Sequence, residues 1–146
     1  MYALRTVYDC CIVEFPRIED PRGNLTFVEQ QVHIPFDISR VYWIYDVPGG
    51  KQRGGHAFKQ QCECIIALSG SLDVFLDDGM AQRIVTLNRA YFGLYVPSMI
   101  WRRMQNFSTN AVAYVLASCP YDEQDYIRNY DTYKEMGGRA DEDHDQ

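Results

Sequence analysis

The feature that most restricts the fold of this chain is a series of short β-strands separated by closely spaced turns. In the clearest segment Leu72, Val74 and Leu76 alternate with polar residues, and Asp78-Gly79 follows as a hairpin turn. Turn-forming residues recur about every 8–12 residues, a spacing typical of sandwiches and barrels. The same pattern predicts further strands at 6–15, 25–29, 40–46, 62–68, 83–87, 91–95, 101–107 and 111–118. The chain is therefore predicted to be all-β.

Only the C-terminal part of the chain has a helical pattern, over residues 122–136, where Asp122 can cap a helix. The residues on one face of that helix are Tyr126, Ile127, Tyr130 and Tyr133. Many antiparallel strands followed by one short C-terminal α-helix favour a jelly roll, a β-barrel that often encloses a ligand cavity. The 146 residues suit a single domain, predicted at 1–136, and the polar, mostly acidic residues 137–146 are predicted to be a disordered tail.

The net charge of −6 excludes some classes of partner. A nucleic acid polymer requires a basic surface, so an anionic ligand of this chain would have to be held by a few well-placed arginines. No apolar run approaches the roughly 18–20 residues that cross a bilayer. Asp9 and Glu14 interrupt the N-terminal segment where a signal peptide would be apolar. We therefore expect a cytoplasmic protein with no membrane partner.

Five cysteines are present, an odd number at a density too low for a disulfide scaffold. Cys62 and Cys64 are two residues apart, which places both on one face of a predicted strand. The chain has no C-x-x-C or similar spacing that would indicate a zinc site. We expect reduced cysteines that pack as small apolar residues.

The three histidines differ in their surroundings. His144 lies in the acidic tail and His33 lies in a connecting segment, so neither is predicted to have a chemical role. His56 follows the glycine pair Gly54-Gly55, which lets the backbone approach another group closely, and a basic residue stands on each side. An unperturbed histidine titrates near pH 6.5, so His56 is the candidate general base.

Residues 56–70 and residues 93–106 resemble the first and second cupin motifs. Metal-binding cupins hold their ion with three histidines and one glutamate, and the corresponding positions here are His56, Phe58, Glu63 and Arg102. Phenylalanine has no lone pair to donate, and a guanidinium is a fixed cation without one. Two ligands of four hold a metal ion poorly, so we expect the barrel to have no metal.

Within the cupins, the chain resembles the sugar-nucleotide 3,4-ketoisomerases, also called the WxcM-like family, over about residues 11–133. The matching segments are Asp20-Pro21-Arg22-Gly23, Arg40-Val41-Tyr42-Trp43-Ile44, Arg53-Gly54-Gly55-His56-Ala57, Leu76-Asp77-Asp78-Gly79, Gly93-Leu94-Tyr95-Val96 and Tyr121-Asp122-Glu123-Gln124-Asp125-Tyr126-Ile127-Arg128. The resemblance implies a cupin-type jelly roll and an isomerase of a dTDP-4-keto-6-deoxyhexose such as dTDP-4-keto-6-deoxyglucose. The ketone would move from C4 to C3 through an enediol, without a metal or redox cofactor.

The resemblance also implies roles for individual residues. His56 matches the histidine that carries the proton between the two carbons, and Tyr42 matches the tyrosine that manages protons on the two oxygens. The predicted substrate-binding residues are Arg22, Arg53, Arg102, Phe58, Trp101 and Tyr95. The arginines would bind the diphosphate, with one of them, Arg102, facing the sugar to stabilise the enediolate. Trp101 and Tyr95 would stack on the thymine or pack in the core. Members of the family are dimers that exchange an N-terminal strand, for which residues 6–15 are suited.

Phe58 is a departure from the family pattern, because many members carry a second histidine at this position, in the sequence H-A-H-K. We expect activity to survive, with a changed substrate or product, since the proton-carrying position matches His56. One alternative is a cupin that binds a nucleotide sugar without isomerising it. Another is a 3,5-epimerase, which would pair a histidine with an aspartate, and no aspartate stands beside His56 in the sequence. A metal-dependent dioxygenase is the weakest interpretation.

Overall fold

The computed structural model describes residues 5–137, which form two five-stranded sheets, a two-stranded hairpin and one α-helix. The strands are β1 (Cys11–Glu14), β2 (Arg17–Ile18), β3 (Leu25–Thr26), β4 (Arg40–Ile44), β5 (Arg53–Phe58), β6 (Glu63–Ser69), β7 (Leu72–Asp77), β8 (Gln82–Leu87), β9 (Phe92–Val96), β10 (Trp101–Gln105), β11 (Val112–Ala117) and β12 (Tyr126–Ile127). Helix α1 spans Tyr130–Met136, and short 3-10 helices span Val7–Asp9 and Glu123–Asp125.

The first sheet has the strand order β1-β9-β6-β11-β4, and the second has the order β12-β5-β10-β7-β8. Strands β2 and β3 pair only with each other. All pairings between these strands are antiparallel. Most neighbours in each sheet are not consecutive in the chain, as the Greek-key connections of a jelly roll require. The predicted all-β, cupin-type jelly roll with one short C-terminal α-helix is confirmed.

The main hydrophobic core lies between the two sheets, because each sheet turns one row of alternating side chains inward. On β7, Leu72, Val74 and Leu76 are buried, whereas the intervening Asp73 and Phe75 are half-buried. Other strands contribute to this core in the same way, with Ile65, Leu94, Met104 and Val115. Each fully buried large apolar side chain contributes about 1.5–3 kcal/mol, and this burial drives the sheets together.

Strand β4 is an edge strand that turns one face inward and one face to solvent. Val41 and Trp43 are exposed, whereas Tyr42 and Ile44 are half-buried and pack against the main core. Tyr42 is aligned with Val115, a core residue of β11, and residues aligned across a ladder share a face of the sheet. The Tyr42 side chain therefore lies on the inner face of the barrel.

The prediction of a strand over 6–15 is wrong in its first half. Thr6 instead caps a 3-10 helix, and its backbone N–H donates to the Asp9 carboxylate at 2.8 Å, which completes a capping box. The Val7 backbone N–H donates to the Asp78 carboxylate at 2.9 Å, so this helix is held against the β7–β8 turn. The extended part of the segment is β1, which pairs with β9 of the same chain.

The prediction of a helix over 122–136 is wrong before residue 130. Asp122 is a cap, but it caps a 3-10 helix of three residues. The Asp125 carboxylate accepts backbone N–H groups from Gln60 and Gln61 at 2.8 and 3.1 Å, which fixes this segment beside β5. The next two residues then form β12 against β5, because tertiary hydrogen bonds replace the local helical ones.

The remaining strand predictions are confirmed apart from their ends, and the segment 25–29 shortens to Leu25–Thr26. Strand β5 was not predicted, because its glycine pair interrupts the alternating pattern. The tail beyond residue 137, with His144, lies outside the described residues, so the domain boundary and the disordered tail stay predictions. Within residues 5–137, no helix is long and apolar enough to span a membrane.

Candidate active site

His56 and Arg102 are neighbours across the second sheet. Strands β5 and β10 pair with Arg102 aligned to His56, and the register then shifts before Met104 aligns with Arg53. Gly54 lies in this irregular stretch with φ +76°, and a Cβ added to it would overlap with Nη1 of Arg102. The glycine pair predicted that the backbone approaches another group closely. That group is the Arg102 guanidinium, which packs against Gly54.

A cavity of about 450 Å³ opens beside these residues, within the usual size range of small-molecule sites. It is lined by Arg40, Tyr42, Trp43, Ile44, Arg53, Gly54, His56, Arg102, Tyr121, Tyr126 and Arg128. Two larger depressions, of about 570 and 610 Å³, lie on the outer face of the first sheet and are lined mainly by apolar side chains. We identify the smaller cavity as the candidate active site, because it holds the predicted acid–base residues and the larger depressions do not.

The Arg102 guanidinium is the centre of a buried hydrogen-bond network. Its Nε and Nη2 donate to Oε1 of Glu63 at 3.0 and 2.7 Å, and Nη2 also donates to the Tyr42 hydroxyl at 2.8 Å. Nη1 donates to the Gly54 carbonyl oxygen at 3.4 Å. A guanidinium has five N–H donors, so within residues 5–137 one N–H of Nη1 is left for a ligand. Burial alone lowers the pKa of Arg102, but the adjacent Glu63 carboxylate raises it above its usual value, and the group stays charged.

The Tyr42 hydroxyl is held between an acceptor and a donor. It donates to Oε2 of Glu63 and accepts from Arg102. Burial raises the pKa of Tyr42 well above its usual value, and the Arg102 charge only partly opposes that rise. Gln61 donates to the same Glu63 oxygen at 3.2 Å and accepts from Arg40 at 3.0 Å. Tyr42 is therefore a neutral phenol whose orientation is fixed by a continuous buried network.

The His56 imidazole is buried, at 7% exposure, yet neither of its ring nitrogens has a hydrogen-bond partner among residues 5–137. Its contacts are aromatic: the Phe58 ring packs edge-on at 4.8 Å and the Tyr126 ring lies at 5.0 Å. Burial is the main cause that lowers the pKa of His56 to about 2, and the positive charges of Arg102 and Arg128 contribute to the same shift. A buried polar group without a partner in the protein indicates a ligand contact, and this neutral imidazole has both ring nitrogens available to a ligand.

Phe58 does not line the cavity but packs behind two residues that do, His56 and Tyr126. Its side chain is 4% exposed and packs on His56 and on Tyr126, with ring centroids 4.8 and 4.6 Å away. The Arg102 guanidinium lies 5.7 Å from the centroid of the Phe58 ring. Phe58 therefore fixes the orientation of the imidazole by packing, where a histidine would instead offer a second acid–base group.

Two arginines at the cavity were missing from the predicted site residues. Arg128 forms a bidentate ion pair with Glu123 at 2.7 and 3.0 Å and stacks on the Tyr126 ring at 4.3 Å. Arg40 lies 5.4 Å from the Tyr121 ring centroid. Both residues belong to segments that matched the family. Arg128 was overlooked because its segment was interpreted as a helix facing the core.

Besides Phe58, three of the predicted substrate-binding residues do not line the cavity. Arg22 lies in the turn between β2 and β3, where its highly exposed side chain forms an ion pair with Asp20. Trp101 and Tyr95 pack in two smaller apolar clusters outside the main core instead of facing a ligand. Trp101 packs on Tyr130 and Tyr133 below α1, and Tyr95 donates to Sγ of Cys62 at 3.7 Å.

Strand alternation explains why these two aromatic residues miss the cavity. Trp101 is adjacent to Arg102 on β10, and Tyr95 stands between the core residues Leu94 and Val96 on β9, so both point to the opposite face from the barrel interior. Of the two possibilities left open for them, core packing is the one that the structure supports.

The four positions that correspond to cupin metal ligands do not form a metal site. Phe58 offers no donor atom, and both carboxylate oxygens of Glu63 accept hydrogen bonds from neighbouring side chains. Arg102 places a fixed positive charge at the fourth position. Among the described residues, no group of three or more His, Cys, Asp or Glu side chains could hold an ion. The residues present therefore do not fit the metal of the fold family.

The fold and the site together define a cupin-type barrel in which an imidazole, a phenol and an ion pair occupy the region that holds the metal in other cupins. The family model described as FdtA: WxcM-like, C-terminal matches residues 8–138. The chain belongs to this family, and the resemblance stated from its motifs is confirmed.

Known relatives of the chain are sugar-nucleotide enzymes. It is 45% identical, over 123 residues, to the TDP-4-oxo-6-deoxy-alpha-D-glucose-3,4-oxoisomerase of Aneurinibacillus thermoaerophilus, covering 84% of this chain and 88% of that protein. The sugar 3,4-ketoisomerase QdtA from Thermoanaerobacterium thermosaccharolyticum, solved with TDP, superimposes with a TM-score of 0.89 at 39% identity, covering 92% of this chain and 98% of QdtA. The Mycobacterium tuberculosis RmlC epimerase shares the fold alone, with a TM-score of 0.71 at 19% identity, covering 86% of this chain and 72% of the epimerase.

Proposed function

We propose that the protein is a 3,4-ketoisomerase of a dTDP-4-keto-6-deoxyhexose, and we write TDP for dTDP from here on. It moves the ketone from C4 to C3 without a metal or redox cofactor. The observation that carries this proposal is the buried His56 imidazole, which has no partner within residues 5–137 and faces a cavity also lined by Tyr42. The 3,4-oxoisomerase relative and the QdtA structures, one of them in complex with TDP-4-keto-6-deoxyglucose, support the same reaction class.

The reaction needs one base at carbon and one proton carrier at oxygen. Neutral His56 takes the C3 proton and a C3–C4 double bond forms. The negative charge of the resulting enediolate lies on the C4 oxygen, which is then protonated. The imidazolium returns its proton to C4 while the C3 hydroxyl loses its proton, which leaves the ketone at C3. Tyr42 is suited to exchange protons with both oxygens, and the free N–H on Nη1 of Arg102 can stabilise the enediolate.

The diphosphate of the substrate is matched by the charges around the cavity. Four guanidinium groups line it, those of Arg40, Arg53, Arg102 and Arg128. Two of them form ion pairs, Arg102 with Glu63 and Arg128 with Glu123. The remaining excess of two positive charges suits a diphosphate bridge with two negative charges, and guanidinium forks bind such groups in bidentate fashion. The acidic chain therefore offers a local basic site.

The test is an incubation of the protein with TDP-4-keto-6-deoxyglucose in deuterated water, followed at C3, C4 and C5 by NMR. Isomerisation with exchange confined to C3 and C4 is the expected result. His56→Asn should abolish turnover and leave TDP binding nearly unchanged, because the amide is polar and uncharged but cannot take the proton. An active His56→Asn variant would remove His56 from the base role, and activity that appears only with added metal would overturn the cofactor-free reaction.

Two alternatives are separated by the same spectra. Deuterium at C5 would indicate a 3,5-epimerase, but no carboxylate accepts a hydrogen bond from His56 among the described residues. Nucleotide binding without any exchange would indicate a binding protein, the alternative that Phe58 keeps open. A product different from that of the relatives would indicate that Phe58 changes the specificity of the site.

We further propose that the protein is a homodimer that exchanges its N-terminal strand. Support comes from the outer face of the first sheet, where Trp43, Tyr45 and Leu68 are 56%, 60% and 47% exposed. In the single chain β1 pairs with β9, and exchange would make the same pairing between two copies. Arg22 can contact substrate only if the ligand extends beyond the cavity or if the second copy supplies it. Light scattering after gel filtration should give a dimer, and Leu68→Glu should shift it toward a monomer.

We also propose that the protein acts in the cytoplasm. The described cysteines are all free thiols, which suits a reducing compartment. Fractionation of cells that produce the protein should recover it with cytoplasmic markers, and recovery with exported proteins would contradict this.

A further inference from the structure

The charged groups around His56 come from every element that packs on it. Arg53 shares its strand β5, Arg102 extends from the neighbouring β10, and Arg40 extends from β4. On the remaining side, Glu123 and Arg128 flank β12 as an ion pair. The carboxylate of Glu63 is held by Arg102 behind the phenol of Tyr42, and the phenol of Tyr126 lies against the imidazole. Positive groups therefore outnumber negative groups around a buried imidazole.

Without a bound ligand, this arrangement opposes the role of His56 as a base. Protonation would add one more positive charge to a buried site that already has an excess of them, and neither ring nitrogen of His56 has a partner within residues 5–137 that would stabilise the charge. The pKa of His56 is accordingly lowered to about 2, first by burial and then by Arg102 and Arg128. A base is most effective when its pKa lies near the working pH, so the imidazole of the empty site is a poor proton acceptor.

Arg128 is the residue best placed to couple the ligand to the base. Its side chain is 54% exposed and therefore reachable by an anion, yet it is held in place by Glu123 and by the Tyr126 ring at 4.3 Å. The same Tyr126 ring lies 5.0 Å from the imidazole of His56. Arg128 thus holds a preorganised positive charge close to His56 at the open side of the cavity.

We propose that the diphosphate of the bound nucleotide activates His56: its negative charges neutralise the surrounding guanidinium groups, and Arg128 is the positioning residue through which they act. Without a ligand the His56 imidazole is then uncharged and a weak base, and binding of the substrate makes it a stronger base. This inference rests on the proposed function, because it concerns the same base, but it can be measured without turnover.

The experiment follows the histidine ring signals of the full chain by ¹H–¹³C NMR as a function of pH, without ligand, with TDP and with thymidine. The His56 signal is assigned from its loss in His56→Asn. We expect no titration of His56 down to about pH 4 in the free protein. Saturating TDP should raise the pKa of His56 by about 1–3 above its value in the free protein, the range produced by a nearby opposite charge, and thymidine should leave it unchanged.

Arg128→Gln provides the matched variant, because it removes one positive charge from an exposed position and keeps a polar side chain there. The pKa of His56 should be higher in the free variant than in the free wild-type protein, and the rise caused by TDP should be smaller. An equal pKa with and without saturating TDP would overturn the proposal, as would an equal rise with thymidine. Neither result would contradict the ketoisomerase function, which the turnover assay tests separately.

Discussion

The Arg102 guanidinium lies against the backbone of Gly54, with Nη1 donating to the Gly54 carbonyl oxygen at 3.4 Å and no space between them for a side chain. The same guanidinium holds Glu63 and Tyr42 through Nε and Nη2. The orientation of the phenol on β4 therefore depends on a glycine on β5. This relationship links the glycine pair of the sequence to the chemistry of the cavity.

Gly54→Ala should destabilise the protein and reduce turnover, because the added Cβ overlaps with Arg102 and φ is +76°. We expect a loss of about 1–3 kcal/mol in the free energy of unfolding, measured by urea denaturation. Gly55→Ala is the matched control, since its Cβ would meet only the Trp101 ring at an ordinary 3.7 Å. Equal effects of the two substitutions would contradict the assigned role of Gly54.

Glu63→Gln should leave the Arg102 charge buried without a counter-charge and cost about 3–5 kcal/mol in the free energy of unfolding. Replacement of both residues by leucine should recover much of this stability, because a buried ion pair can be exchanged for apolar packing at little net cost. The double variant should nevertheless be inactive, since it no longer orients Tyr42. Urea denaturation and the NMR assay measure the two effects, and additive losses in the single and double variants would argue against a coupled pair.

Stability should fall in acid because His56 binds a proton in the unfolded chain but not in the folded one. The pKa of His56 is about 2 in the folded protein and near 6.5 when unperturbed, so its effect begins below about pH 6.5 and increases down to about pH 2. The slope should approach about 1.4 kcal/mol per pH unit. Urea denaturation at pH 7 and pH 5 should show this loss in the wild-type protein and in His33→Asn, but much less of it in His56→Asn.

Phe58→His introduces the second histidine that many family members carry, and it tests whether Phe58 is compatible with catalysis. We expect the wild-type protein to be active and the variant to keep turnover within about tenfold, because the proton is carried by His56 alone. Stability should decrease, since an apolar ring packed on His56 and Tyr126 is replaced by a polar one. A wild-type protein that only binds TDP, together with an active Phe58→His variant, would instead favour the binding alternative.

Local pattern alone identified most of the fold. Strand β7 and its turn were predictable because alternation and an Asp-Gly pair are properties of neighbouring residues. The glycine pair, by contrast, concealed β5, and the periodicity of residues 122–136 concealed β12. Strand β5 is stabilised by pairing with β10 and β12, and among the described strands β12 pairs only with β5, so both depend on residues distant in the chain. Propensity is a weak guide wherever hydrogen bonds from distant residues decide the conformation.

The candidate site, like the fold, was predictable only in the properties that depend on neighbouring residues. The motifs alone show which chemical groups are available, namely one imidazole in a matched motif at His56, a phenol at Tyr42 and a cation at Arg102 in place of a metal ligand. Strand alternation could also have assigned Trp101 and Tyr95 to the opposite face, because it is a local property.

The contacts of these groups depend on how the two sheets pack. This packing brought Glu63 to Arg102 across 39 positions of the chain, left His56 with no partner within residues 5–137, and placed Arg128 at the cavity through a strand that sequence reasoning had interpreted as helix. Charge and hydrogen bonding act through space over a few ångströms, so the strength of a base is set by neighbours that are distant in sequence. For this protein the residue types were fixed locally, and the environment that makes them a site was fixed by the packing of two sheets.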